Sequence, residues 1–94
     1  MTTYKISNPE QLRKVVPAIK DQSGAPQKTV EGKHYAELVA SVWTTCIRQG
    51  QPGKMDIHIE IGRDAKMILK RKGRPDYTWA LNVRMAREIV KELE

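Results

Sequence analysis

Residues 54–72 read KMDIHIEIGRDAKMILKRK, and this stretch decides the fold. Over 55–61 apolar and polar residues alternate, which is the period of a β-strand with one buried face. A Gly-Arg-Asp turn follows at 62–64, and the chain returns over 65–72 as a second strand. The stretch therefore predicts an antiparallel β-hairpin with one apolar face and one polar face.

The N-terminal third of the chain predicts a short strand, a short helix and a long loop. Residues 2–6 form a β-leaning stretch, and the Ser-Asn pair at 7–8 supplies side chains that cap a helix. Pro17 lies deep in the helical pattern that follows, where it removes a backbone hydrogen bond and clashes with the preceding turn. The first helix is therefore expected to stop or kink near Val16, and residues 21–33 form the longest loop.

Two further helices are expected on either side of the hairpin. Residues 34–49 carry an uninterrupted apolar stripe with helical spacing, which makes this the clearest helix of the chain. The last helix is placed after Pro75, with Asp76 or Thr78 as its cap, and is expected to end near Leu93.

These elements predict a single α+β domain over residues 1–94. The order is (β)-α-α-β-β-α, with the helices packed on one face of an antiparallel hairpin or sheet. The sequence leaves open whether residues 1–32 pack on the core or form a less tightly packed N-terminal segment. Because the chain has no Phe and few other aromatic residues, the core is expected to be aliphatic, built from Ile, Val, Leu and Met.

The charge balance favours an anionic partner. The chain has 17 Lys and Arg against 11 Asp and Glu, a formal net charge of +6. Such a balance favours nucleic acid, an anionic membrane or an acidic protein surface. No run approaches the ~20 apolar residues of a membrane span, and no signal-peptide core is visible. The single cysteine, Cys46, excludes an internal disulfide, so we expect a cytoplasmic protein with no membrane partner.

Basic residues concentrate from Arg63 to Arg74, a stretch that contains six Lys or Arg residues and a single acid, Asp64. A compact cation cluster gains affinity for a phosphate backbone by releasing counterions. Together with two arginines of the last helix, the predicted nucleic-acid-binding residues are Arg63, Lys66, Lys70, Arg71, Lys72, Arg74, Arg84 and Arg87. The alternative is an ordinary solvated face, since the outer side of a hairpin is polar and lysines protect sheet edges from aggregation.

One motif within this cluster suggests how DNA would be contacted. Residues 71–75 read Arg-Lys-Gly-Arg-Pro, which resembles the core of an AT-hook, a segment that lies extended in the minor groove of A/T-rich DNA. Gly73 would allow close backbone approach, Pro75 would keep the chain extended, and Arg74 would insert where the negative potential is strongest. Lys72 replaces the usual arginine, and lysine fits a narrow groove less well.

The succession of hairpin, Gly-Arg loop and helix over 57–89 also resembles the DNA-binding part of bacterial nucleoid silencers related to H-NS. Residues 1–50 do not resemble the oligomerisation region of those proteins. The resemblance and the charge together predict a small, basic, non-catalytic nucleic-acid-binding protein with a regulatory or accessory role. Duplex DNA is the expected ligand.

The alternative function belongs to a different class, a small inhibitor or adaptor of the phage or plasmid type. The same cations would then meet an acidic surface of another protein or protein complex. Leu81 and Met85 are placed on a flank of the last helix outside its main apolar stripe. They are the predicted interface with a partner or with a second copy in a homodimer. Salt-dependent affinity for DNA separates the two functions.

No enzyme signature emerges from the sequence. His34 and His58 are the only histidines, and Cys46 lies within an apolar helix stripe. Asp56, His58 and Glu60 alternate on one strand face, where they are better explained as solvent-facing partners of lysines across the strands. We therefore expect no catalytic residues, no metal site and no cofactor.

Overall fold

A computed structural model describes residues 2–20, 27–51 and 55–93. Its elements are β1 (Thr2–Ile6), α1 (Pro9–Val15), a 3₁₀ turn (Val16–Ala18), α2 (Tyr35–Arg48), β2 (Met55–Ile61), β3 (Ala65–Arg71), β4 (Arg74–Leu81) and α3 (Val83–Leu93). Of the predicted long loop over 21–33, residues 21–26 lie outside the described ranges. No helix in the described ranges is both long enough and apolar enough to cross a membrane.

The four strands form one antiparallel sheet in the order β1-β2-β3-β4. The N-terminal strand joins the sheet beside β2, although two helices separate the two strands along the chain. A row of paired residues crosses the sheet from Tyr4 to Ile59, Met67 and Trp79. Because strand side chains alternate between faces, this row lies on one face, and that face carries the core.

The helices cover this inner face. Buried residues from α1 (Leu12, Val15), α2 (Val39, Trp43) and α3 (Ala86, Val90) form one cluster with the inward residues of the strands. The opposite face carries charged and polar side chains such as Lys5 and Lys66, which remain largely exposed. The predicted α+β class, with helices on one face of an antiparallel sheet, is confirmed.

The first helix begins and ends where the sequence indicates. The Asn8 Oδ1 atom accepts a hydrogen bond from the Gln11 amide at 3.0 Å, which caps α1. The α-helical part ends at Val15 and continues as a 3₁₀ turn that contains Pro17, because proline cannot supply the next helical hydrogen bond. Helix α1 packs into the core, since Leu12 is fully buried.

The largest difference from the sequence prediction is strand β4. Residues 74–81 were expected to hold a turn and the start of the last helix, but they form the edge strand of the hairpin with β3. Trp79 is 1% exposed in this strand, so its large side chain lies in the core on the inner face of the sheet. Pro75 is compatible with a strand because it lies near the start of an edge strand. The last helix begins only at Val83, and its cap is Asn82.

Candidate functional site: a basic groove beside the second helix

The β3–β4 hairpin ends in a tight turn that gathers basic residues. Arg71 pairs with Arg74 across the hairpin, and Lys72 and Gly73 form the turn between them. Gly73 has a φ of 76°, a left-handed conformation that glycine adopts without steric cost. The prediction of an extended Gly-Arg-Pro loop between a strand and a helix is therefore wrong, because Pro75 belongs to β4 and the chain reverses at Gly73.

The Arg71 side chain is held by two contacts. Its guanidinium carbon lies 4.4 Å from the centroid of the Tyr77 ring, a distance typical of a cation–π interaction. Its Nη2 atom donates a hydrogen bond to the Pro75 carbonyl oxygen at 3.2 Å. Because these contacts restrict the side chain before a partner binds, Arg71 loses less conformational entropy on binding than a free side chain would.

An aromatic cluster joins the start of α2 to this hairpin. Tyr35 packs edge-on against Tyr77 with ring centroids 5.5 Å apart, and Trp79 lies 6.0 Å from Tyr77. Burial raises the pKa of Tyr35, and so do the hydrogen bond and the charge interaction with Tyr77, whereas Arg71 and Arg74 act to lower it. Arg71 and Arg74 are therefore close enough to the start of α2 to act on the pKa of Tyr35.

A groove of ≈ 680 Å³ lies between α2 and this end of the hairpin, and we call it the basic groove. We call its apolar lining the floor and its three cations the rim; the floor is formed by Tyr35, Leu38, Val39, Val42, Cys46, Met55 and Leu69, and the rim by Arg71, Lys72 and Arg74. Leu38 and Val42 are 43% and 44% exposed, so two large apolar side chains face water here. None of the three rim cations forms an ion pair with an acid in the described part of the chain.

The exposed floor arises because the apolar surface of α2 is wider than the core can cover. Val39, Ala40 and Trp43 pack into the core and are at most 6% exposed. Leu38 and Val42 lie on the adjoining flank of the same helix and remain outside. The binding and interface residues predicted from the sequence include neither Leu38 nor Val42. The signal was the width of the stripe, which exceeds one buried helix face.

On the outer face of the sheet, charges are largely paired. The Lys66 Nζ atom lies 3.5 Å from Glu60 Oε2, and Lys5 Nζ lies 3.9 Å from Asp56 Oδ1. His58 Nε2 lies 3.0 Å from the other oxygen of Asp56. This arrangement matches the expected cross-strand pairing of Glu60 with Lys66, and it leaves less free positive charge on this face for a polyanion.

The eight predicted binding residues are not on one surface. They lie at the β3–β4 turn (Arg71, Lys72 and Arg74), on the outer face of β3 (Lys66 and Lys70), in the β2–β3 turn (Arg63) and on α3 (Arg84 and Arg87). Strand β3 has seven residues, so its two ends lie about 20 Å apart. Arg87 lines a second groove together with Gly62, at the end opposite to the basic groove. The structure thus brings together only the first three, at the basic groove.

The two predicted interface residues occupy different environments. Leu81 belongs to β4 and is 2% exposed in the core, so its placement on a flank of the last helix is wrong. The error has the same origin as the missed strand, because the helix was started too early. Met85 does lie on α3, is 37% exposed, and remains available at the surface.

Within the described residues, no group of three or more His, Cys, Asp and Glu side chains lies close enough together to hold a metal ion. Cys46 is half-buried and lines the basic groove, so it is more accessible than the core position expected from its helix stripe.

Comparisons with protein-family models, with curated proteins and with solved structures gave no match.

Proposed function

We propose that the protein is a cytoplasmic, non-catalytic adaptor or inhibitor that binds an acidic surface of another protein at the basic groove. The observation that carries the proposal is the combination of an apolar floor with a rim of three cations that form no ion pair with an acid of the described ranges. Stable protein interfaces combine apolar anchors at the centre with polar and charged residues at the edge. The net charge of +6 adds long-range attraction to an acidic partner.

The groove favours this function over binding of a phosphate backbone alone. A phosphate backbone is bound by cations and hydrogen-bond donors, and the exposed Leu38 and Val42 would gain nothing from it. An acidic protein surface would use both features, since burying the two side chains adds a hydrophobic contribution of about 25 cal/mol per Å².

Nucleic-acid binding is the second candidate, and a specific observation favours it. Lys70, Arg71, Lys72 and Arg74 lie within five consecutive positions around one turn. Lys70 and Lys72 are exposed and, within the described ranges, have no acidic partner. Such a cluster would contact phosphates and support a regulatory or accessory role in which DNA is bound with little sequence specificity.

The two functions are separated by their dependence on the apolar floor. We expect Arg74→Glu to weaken binding to either partner at least tenfold, because it reverses one rim charge. Val42→Ser should weaken binding only to a protein partner, because phosphates do not contact the floor. Lys14→Glu is the matched control for charge reversal, because Lys14 is exposed on α1, does not line the groove and is not among the predicted binding residues.

The measurement combines affinity capture from cell lysate with direct titration of the purified captured protein, at about 50 and about 200 mM salt. Labelled DNA duplexes are titrated in parallel by fluorescence anisotropy. Capture of an acidic protein that is lost with both Arg74→Glu and Val42→Ser supports the adaptor. Sub-micromolar, steeply salt-dependent DNA binding that Val42→Ser leaves unchanged would establish the second candidate instead.

A further inference from the structure

Resting on the proposed function, we infer that the partner segment in the basic groove is an acidic amphipathic α-helix. Its apolar side chains would lie along Leu38, Val42 and Cys46 of α2, and its carboxylates would face Arg71, Lys72 and Arg74. This assignment specifies the chemistry and the secondary structure of the partner.

The apolar floor has the geometry of a helix-binding groove. Leu38, Val42 and Cys46 are spaced at i, i+4 and i+8 on α2, so they form a ridge along one side of the helix. At 1.5 Å per residue the ridge is about 12 Å long. A partner helix that places apolar residues at i, i+3 or i+4, and i+7 would match this length.

An extended partner strand would find no backbone to pair with along the floor of this groove. The floor is formed mainly by side chains of α2, whose backbone groups are bonded within the helix. Strand addition requires the unpaired N–H and C=O groups of a sheet edge. A partner helix carries its own backbone hydrogen bonds and needs only side-chain contacts, which is what the floor offers.

The rim selects an acidic flank. The three rim cations lie on the hairpin side of the groove, so they would meet one side of a bound helix and not both. Arginine forms two parallel hydrogen bonds with a carboxylate, and the Arg71 guanidinium is already positioned by Tyr77. A neighbouring pocket shares Tyr35 and Leu38 with the groove and is lined by two cations, Lys28 and Lys33, and one acid, Glu31, so it adds only a small excess of positive charge.

A second copy of this chain is a poor occupant of the groove. A symmetric contact through the groove would bring each set of rim cations towards the other. Two chains that each carry a net charge of +6 also repel each other at long range. Charge complementarity therefore favours an acidic partner over self-association.

The test uses a synthetic peptide of about 15 residues, long enough for a marginal helix. It carries Leu at i, i+3, i+4 and i+7 and Glu on one adjoining flank. A scrambled peptide of the same composition keeps the charge and destroys the apolar stripe. We expect fluorescence anisotropy to show micromolar binding of the patterned peptide and at least tenfold weaker binding of the scrambled one.

Matched variants locate the binding site. Val42→Asp should weaken binding of the patterned peptide at least tenfold. Ile47→Asp should leave it within twofold, because Ile47 is 42% exposed on the same helix but does not line the groove. The bound peptide should also slow alkylation of Cys46, the single cysteine of the chain, at least fivefold. Circular dichroism of both variants verifies that they are folded.

Each contrary result has a defined meaning. Equal binding of the two peptides, with the Arg74→Glu effect retained, would overturn the helix inference and leave the acidic-surface function standing. Peptide binding without protection of Cys46 would also overturn it. Binding of duplex DNA but of neither peptide would overturn the inference and the proposed function together. A dimer in sedimentation that Val42→Asp dissociates would show that a second copy fills the groove, and would overturn the inference.

Discussion

At the scale of single residues, Tyr35 joins the second helix to the basic hairpin. Its ring packs against Tyr77, and its pKa is raised above the usual value of 10.0, mainly by burial and then by Tyr77. The neutral phenol is thus favoured in the folded state. The stabilisation from this shift is fully present below the pKa of the unfolded chain, about 10, and is lost as the pH rises through the higher folded pKa.

The raised pKa of Tyr35 predicts how this side chain titrates at alkaline pH. In an absorbance titration of the phenolates, we expect Tyr35 to ionise above pH 10, identified as the contribution that is missing in Tyr35→Phe. Arg74→Ala should raise the Tyr35 pKa further, because the arginine charge stabilises the phenolate. A Tyr35 that titrates at 10 or below in the folded protein, or that ignores the loss of Arg74, would contradict this account of the hairpin end.

At the scale of elements, Asn82 sets the boundary between β4 and α3. Its side-chain Oδ1 atom accepts a hydrogen bond from the backbone N–H of Met85 at 3.2 Å. The backbone N–H of Asn82 donates a hydrogen bond to the Ala18 carbonyl oxygen at 2.8 Å. We expect Asn82→Ala to lower the free energy of unfolding by about 1 kcal/mol, because the backbone bond survives and the cap is lost. Asn82→Asp, which keeps the acceptor, should cost less than half as much in urea denaturation. Equal costs would show that the side-chain cap does not stabilise α3.

The same boundary shows why one strand could not be predicted. Tyr77, Trp79 and Leu81 alternate with smaller or polar residues, which is a strand pattern. Trp79 also matches the helical spacing of Val83 and Ala86, so the segment fits both periods. Tertiary packing decides between them, because β3 offers an edge and the core offers a place for the indole. Periodicity alone contains neither fact.

Where the period was unambiguous, the sequence was sufficient. The hairpin over 55–71 and the second helix were predicted within a few residues of their observed bounds, because each has a single strong pattern. The cluster of cations over 70–74 was also found from the sequence, but the tight turn and strand β4 that hold it were not. The floor of the groove was not found: the width of the α2 stripe indicates that one flank stays exposed, but only the packing of α2 shows that this flank carries Leu38 and Val42.

At the scale of the whole molecule, leucines on helices occur both in the buried core and in the exposed floor of the basic groove. Leu12 of α1 and Leu38 of α2 are both leucines on helices, yet Leu12 is 0% exposed and Leu38 is 43% exposed. Leu12 lies in the same buried cluster as Trp43 and Trp79. Loss of contacts at Leu12 should therefore affect the whole domain, whereas loss at Leu38 should affect only the surface.

We expect Leu12→Ala to lower the free energy of unfolding by about 2–5 kcal/mol, because it leaves a cavity in the shared core. Leu38→Ala should change it by no more than about 0.5 kcal/mol, since the side chain is half in water. Urea denaturation followed by both tryptophan fluorescence and far-UV circular dichroism measures the two costs. In Leu12→Ala the two signals should change in one coincident transition, because α1 and the tryptophans unfold together. Separate transitions would show that the N-terminal segment unfolds on its own, and a large cost for Leu38→Ala would mean that this leucine stabilises the fold instead of being free for a partner.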